Sequence, residues 1–257
     1  MLKNTQSIFL ILLHILSIVS IILIKNISIN TILLQIVFFI FAQISITGGY
    51  HRLWSHRSYK SSEILEWFYM LFGTMATQGT AINWAKEHRT HHRNEEKEGD
   101  PYNINKGFWH AHMGWLLTEP DEVTKKEIEN TDVSDLKKNE ILLWQENNYI
   151  YIWIIVSLLI PTIVCSMWGD GYNGFLTSFI RIVLNLQFTW FVNSLAHYEG
   201  NREHDCNLKA CDNLLVSILT MGEGWHNYHH SYPKDYRASP PDKYNPTTYF
   251  IDLISRI

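Results

Sequence analysis

At 257 residues and a formal charge of −4, the chain fits one domain, 1–257, and offers no basic surface for nucleic acid. Three cysteines, Cys165, Cys206 and Cys211, are too few for a disulfide framework and fit a reducing compartment. A mean hydropathy of −0.09 reads as soluble, yet the apolar residues fall into blocks, the distribution that a membrane selects.

Residues 8–24 form an almost uninterrupted aliphatic run and 31–49 a second. Each approaches the roughly 20 residues that cross about 30 Å of hydrocarbon. Together they predict a helical hairpin, with the first span an uncleaved anchor because no small-residue cleavage site follows it. Residues 149–168 and 174–197 predict a second hairpin around a glycine-rich turn. Pro161 should kink the third span, and Arg181 in the fourth should snorkel or pair. Of the 21 basic residues, 12 lie in 48–148 and 6 follow His197, whereas the loops inside the pairs hold only Lys25. That asymmetry puts 50–148, 198–257 and both termini in the cytosol. The segment 63–83 is apolar but interrupted by Gly73, Gln78, Gly79 and Asn83, and reads as a helix in or on the cytosolic interface. Thr118 to Glu140 reads as an exposed, charged helix or loop. The fold class is therefore all-α integral membrane, four spans carrying a cytosolic helical cap.

Among 13 histidines, three clusters stand out: His51-Arg-Leu-Trp-Ser-His56, His88-Arg-Thr-His91-His92 and His226-Asn-Tyr-His229-His230. In the last two, positions i, i+3 and i+4 share one helical face, so their imidazoles can converge on metal. In the first, spacing i, i+5 leaves the rings about 140° apart on an ideal α-helix, so the backbone must change course. Asn193 and His197, at i and i+4 near the cytosolic end of the fourth span, add a further donor group. His14, His110, His112 and His204 are left out as ordinary hydrogen-bonding residues, and the loop with His204, Cys206 and Cys211 matches no standard zinc spacing. Nine histidines exceed what one ion accepts, so two metal ions are the economical reading. Imidazole suits zinc, copper, iron and nickel; zinc is redox-inert, whereas iron activates O2. The carboxylate-rich Glu-x-x-His pattern of soluble diiron bundles is absent.

The three boxes, with Gly222-Glu223-Gly224-Trp225 and Asn193-Ser-Leu-Ala-His197, closely resemble the stearoyl-CoA desaturase group of membrane fatty acid desaturases. Asp100-Pro101-Tyr102, His112-Met-Gly-Trp115 and Tyr232-Pro233-Lys234-Asp235-Tyr236 extend the match over about 48–237. The resemblance implies two iron ions held by His51, His56, His88, His91, His92, His197, His226, His229 and His230, with Asn193 acting through water. It also implies a kinked acyl tunnel whose bend is lined by Gln78, Trp84 and Thr189. Lys86 and Glu87 stand where the group has an Arg-Asp pair for the acyl-carrier head group, which gives up the planar guanidinium fork. Gly79 replaces an asparagine, and Thr118-Glu119-Pro120 occupies the place of a basic pair, with Lys106, Lys125 and Lys126 as substitutes.

The implied reaction is a cis desaturation, at Δ9, of a long-chain acyl-CoA by O2 and two electrons, in the endoplasmic reticulum membrane. The sequence carries no nucleotide fingerprint, iron–sulfur pattern or haem domain. A separate donor is expected, and the resemblance implies cytochrome b5 with its reductase. Phe39 in the second span suggests a preference for a shorter chain. Two rivals remain: a histidine-box hydroxylase, and a non-catalytic membrane protein that stores or senses metal.

Overall fold

A computed structural model of the chain describes residues 4–254, and within them the protein is helical, with only isolated bridges joining Asp212 to Asn201 and Trp225. The ends themselves, assigned above to the cytosol, lie outside the described residues. The aliphatic run forms α1 (Asn4–Leu23), and Ser28 caps α2 (Ile29–Ile44), which continues into a π-helical stretch, Ser45–Ser55. Next come α3 (Glu63–Met75), α4 (Ala81–Asn94), a short α5 (Trp115–Leu117) and α6 (Glu122–Glu129). The second half holds α7 (Glu140–Ile154), α8 (Ile160–Ser166), α9 (Gly171–Asn193), α10 (Leu214–Leu219), α11 (His226–Ser231) and α12 (Pro246–Ile254).

Among the described residues, four stretches are long and apolar enough to cross a membrane: Thr5–Leu23, Ile29–Ser55, Glu140–Ser166 and Gly171–His197. The third span begins at Glu140, ahead of the expected 149: there Glu140, Glu146 and Asn147 are exposed, while Gln145 is buried and bonds the Ala81 amide, the Tyr50 hydroxyl and Thr74. Helix α9 is the hub, packed against α1, α2 and α8. Asp170 ties the two inter-span connections together, accepting from the Ser28 amide at 2.9 Å and the Thr31 hydroxyl at 2.5 Å.

Pro161 sits in the first turn of α8, where a proline without N–H is tolerated, and the π turn Ile155–Leu159 just before it absorbs the irregularity. Arg181 neither snorkels nor forms an ion pair. It is buried and donates to Gln35 Oε1 and the Ser157 carbonyl at 2.9 Å each and to the Met75 carbonyl at 3.4 Å. Two of these acceptors are carbonyls at irregular or terminal helix positions, left free by the π turn and by the end of α3.

Helix α3 does not span. It packs on the π stretch through glycines: a Cβ on Gly49 would stand 2.6 Å from Tyr69 Cβ, and one on Gly73 would overlap the Tyr50 ring. The chain then reverses through Thr77 (φ 65°) and Gly79 (φ 83°), a left-handed turn that glycine adopts at little cost, and Thr80 caps α4. The reversal returns α4 to the end of the bundle where the π stretch finishes, so the first two boxes meet. Between α6 and α7, part of the segment expected to be exposed is buried, with Val133 and Leu136 in the core.

Candidate metal centre

Each box sits on an element whose local geometry aims its rings inward. His88, His91 and His92 project from α4, while His226, His229 and His230 occupy the single turn of α11. His197 ends a 3₁₀ turn just beyond α9. The first box lies at the end of the π stretch, where hydrogen bonds close over i to i+5 and the His56 amide donates to the His51 carbonyl at 3.0 Å. Residues five apart are thus brought together, with ring centroids 4.7 Å apart. The change of course required by the spacing is a wider winding of the same helix.

The rings assemble as two sets. His51, His56, His88, His92 and His229 form one, and His91, His197, His226 and His230 the other, with one ligand atom from every member within 4.8 Å of the others in its set. Pairs of Nε2 atoms approach to 2.8 Å (His56 and His88), 3.0 Å (His51 and His229; His226 and His230) and 3.1 Å (His92 and His229; His197 and His226).

Carboxylates stand behind several rings. Nδ1 of His51 meets Glu223 at 2.7 Å, that of His91 meets Asp100 at 2.8 Å, that of His230 meets Glu95 at 2.8 Å and that of His197 lies 3.8 Å from Glu96. The Tyr102 hydroxyl is 3.1 Å from His88 Nδ1. A proton on Nδ1 leaves the Nε2 lone pair directed into the cluster. Nitrogen lone pairs this close repel unless a cation lies between them. His91 Nε2 is buried with no hydrogen-bond partner among the described residues. The donors therefore fit a metal, and nitrogen-rich sets of five and four fit a pair of ions.

The electrostatics agree. Burial first, then neighbouring imidazoles, push His56, His88, His92, His226, His229 and His230 well below the usual histidine range, so they stand neutral and able to ligate. Burial opposes charge on His91 too, but Asp100 outweighs it and raises that ring. Burial would raise Glu223, yet His51 and Arg52 together hold it at about 2. Burial pushes Glu95 up to about 7.

Beside the rings lies a cavity of 680 Å³, lined by Gln78, Trp84, Lys86, Glu87, Thr189 and Asn193 among others, with apolar walls from α1, α7 and α9. At its inner end Gln78 donates to Thr189 Oγ1 at 2.8 Å and accepts from Trp84 Nε1 at 3.0 Å. The Trp84 ring stacks on His88 with centroids 4.9 Å apart. A narrow extension of 30 Å³ continues past Thr189 and Asn193 along His51, His88 and His226.

A family model for fatty acid desaturases matches residues 29–238. The chain belongs to the fatty acid desaturase family. It is 38% identical over 254 residues to mouse stearoyl-CoA desaturase 4, covering 97% of this chain and 72% of that one. It is 39% identical over 235 residues to the acyl-CoA Delta-9 desaturase of Acheta domesticus, covering 90% and 66%. With human stearoyl-CoA desaturase the identity is 38% over 250 residues, covering 96% and 70%. Membership makes this desaturase an oxidoreductase, and its four candidate spans make it a multi-pass membrane protein.

Other expectations fall elsewhere in the desaturase. Lys106 lines an adjoining pocket of 180 Å³ that shares Glu87, Trp115 and Ile128 with the cavity, and Asp121 takes its ammonium at 2.7 Å. Lys125 and Lys126 are exposed on α6. Phe39 lines neither the cavity nor its extension and packs edge-on to Phe188 in an apolar groove with Ile36 and Leu184. His112 is buried between Ser194 and Gln187, and His204 lies 3.7 Å from Asp212. The Nδ1 partners were not singled out from sequence, although Glu223 and Asp100 lie inside quoted motifs and Glu95 and Glu96 directly follow the second box. The usable signal was that ligating histidines need an acceptor for their second nitrogen.

Proposed function

We propose that this protein is a diiron acyl-CoA desaturase that puts a cis double bond, at Δ9, into a saturated long-chain acyl group. The observation that carries the reading is two converging imidazole sets against a cavity whose inner end is built from Gln78, Trp84 and Thr189. The names of its relatives, stearoyl-CoA and acyl-CoA Delta-9 desaturases, supply the substrate class.

The nine histidines hold two iron ions, with Asn193 at the rim as a partner through water. Removing hydrogen from two adjacent methylenes, while O2, two electrons and two protons become two waters, is the chemistry that a bound iron pair supplies. The chain contributes orientation and shelter. Hydrogen-bonded to Gln78 and stacked on His88, Trp84 fixes the bend of the acyl chain relative to the ligands. Apolar cavity walls exclude water. Lys86 and Glu87 meet the CoA head group at the mouth, and Lys106, already neutralised by Asp121, contributes less. The electrons come from a separate donor, cytochrome b5 with its reductase, and the site and both termini face the cytosol from the endoplasmic reticulum as one domain.

The test is expression in a desaturase-deficient yeast with gas chromatography of total fatty acids. A cis-monoene is expected, lost in His91→Ala and His229→Ala at equal protein level. A hydroxylated product would replace this reading with a membrane hydroxylase, and no O2-dependent product with a metal-binding protein.

A further inference from the structure

The two imidazole sets differ in what stands behind them. Three carboxylates back the four-histidine set: Asp100 on His91 (2.8 Å), Glu95 on His230 (2.8 Å) and Glu96 near His197 (3.8 Å). Arg93, the next cation along α4, is committed to Glu127 at 2.8 Å. One carboxylate backs the five-histidine set. Glu223 meets His51 at 2.7 Å, but its other oxygen accepts from Arg52 Nε at 3.0 Å and Nη2 at 2.7 Å. The second support there is a neutral phenol, Tyr102 on His88 at 3.1 Å, and Lys234 adds positive charge at the His56 carbonyl, 2.7 Å away. Of the carboxylate contacts, the one from Asp100 to His91 has hydrogen-bond geometry; those beside His51, His197 and His230 act as close charges, and Nδ1 of His226 and of His229 has no hydrogen-bond partner among the described residues. The surroundings are therefore three carboxylates, of which Glu95 gives up its proton fully once a cation binds, against one that Arg52 cancels.

An imidazole that shares its Nδ1 proton with a carboxylate is a stronger donor at Nε2, and a buried negative charge attracts a dication with little screening. We infer that the two metal positions are unequal: the ion among His91, His197, His226 and His230 is held more tightly and loads first, and the five-histidine position fills second. This rests on the reading that the nine histidines hold two ions. Loss of one such outer partner typically weakens metal binding about 10–100-fold, so the imbalance is large enough to separate the two affinities.

The experiment is a titration of the purified full chain in detergent, stripped of metal, with cobalt(II), following visible absorption and bound metal by mass spectrometry. Wild type should take up two ions in two steps separated by at least about 10-fold in Kd. Glu95→Gln should weaken the tight step about 10–100-fold and spare the other, whereas Tyr102→Phe and Glu223→Gln should weaken only the loose step. His56→Ala should keep the tight ion and His226→Ala should lose it, with thermal melting of the metal-free variants confirming that each is folded. Two ions binding in one step of equal affinity, or a tight step untouched by Glu95→Gln and His226→Ala, overturns the inference. A wild-type total other than two ions overturns the two-metal reading itself.

Discussion

Replacing Gly73 by alanine tests how the packing of α3 controls the first histidine box. The new Cβ would overlap Cε1 of Tyr50, so the ring must retreat by about 1 Å to reach an ordinary contact. It has nowhere to go: Tyr50 is fully buried, its hydroxyl lies 2.5 Å from Gln145 Nε2, and Trp54 and Trp84 pack on it at 5.5 and 6.2 Å. Overpacking of this kind costs about 1–3 kcal/mol, or roughly 2–12 °C of melting temperature for a chain of this size. His51 follows Tyr50 directly, so the displacement reaches a ligand, and a misplacement near 1 Å costs up to about 100-fold in rate. Melting of the detergent-solubilised protein and monoene yield in yeast are the assays. Adding Tyr50→Leu should recover part of both losses by removing the ring, and Tyr50→Phe, which keeps it, should not. A Gly73→Ala protein with wild-type melting and wild-type yield would refute the packing argument.

Gln78→Leu removes both the acceptor for Trp84 and the donor to Thr189; turnover should fall about 10-fold and the double bond spread over neighbouring positions, read by mass spectrometry of derivatised products, whereas a single unchanged product position would contradict it. Stripping metal with a chelator should lower the melting temperature by about 5–10 °C, since a ligand at 100 times its Kd is worth about 2.7 kcal/mol. Ferrous ion should restore it, and an unchanged temperature would count against a resident metal. Burial alone would raise Asp135, but Arg89 and then Arg57 more than offset it and hold this carboxyl below its usual value. Its stabilisation is therefore complete above the ordinary aspartate value of about 3.9 and is lost as the pH falls through the lower folded one. The pair is partly exposed, so Asp135→Asn should cost only about 0.5–1 kcal/mol at pH 7, with the gap shrinking as the pH falls below the ordinary aspartate value; a gap unchanged at acid pH would refute the assignment.

The spans were legible because membrane-length apolar runs admit few alternatives, and the second and third boxes because i, i+3, i+4 is a helical face. What escaped was set by partners remote in sequence. Gln145 reads as extramembranous in the sequence, yet Tyr50, Thr74 and the α4 amide satisfy it inside the protein. Arg181 suggested a carboxylate partner, yet it is satisfied by Gln35 and by carbonyls at broken helix turns, which composition does not reveal. Phe39 lines a groove outside the cavity and Lys106 is paired with Asp121, contacts made by partners that the sequence does not bring near.

The stretch Ser45–Ser55 makes the first box sensitive to length as well as to composition. Excising one residue would shift the register of the winding by one position, about 100° on an ordinary helix, for everything beyond the cut. His51 and His56 would then point to different sides of the bundle. Single-codon deletions there should thus be eliminated wherever in the stretch they fall, and a deletion scan would register that without any knowledge of the chemistry.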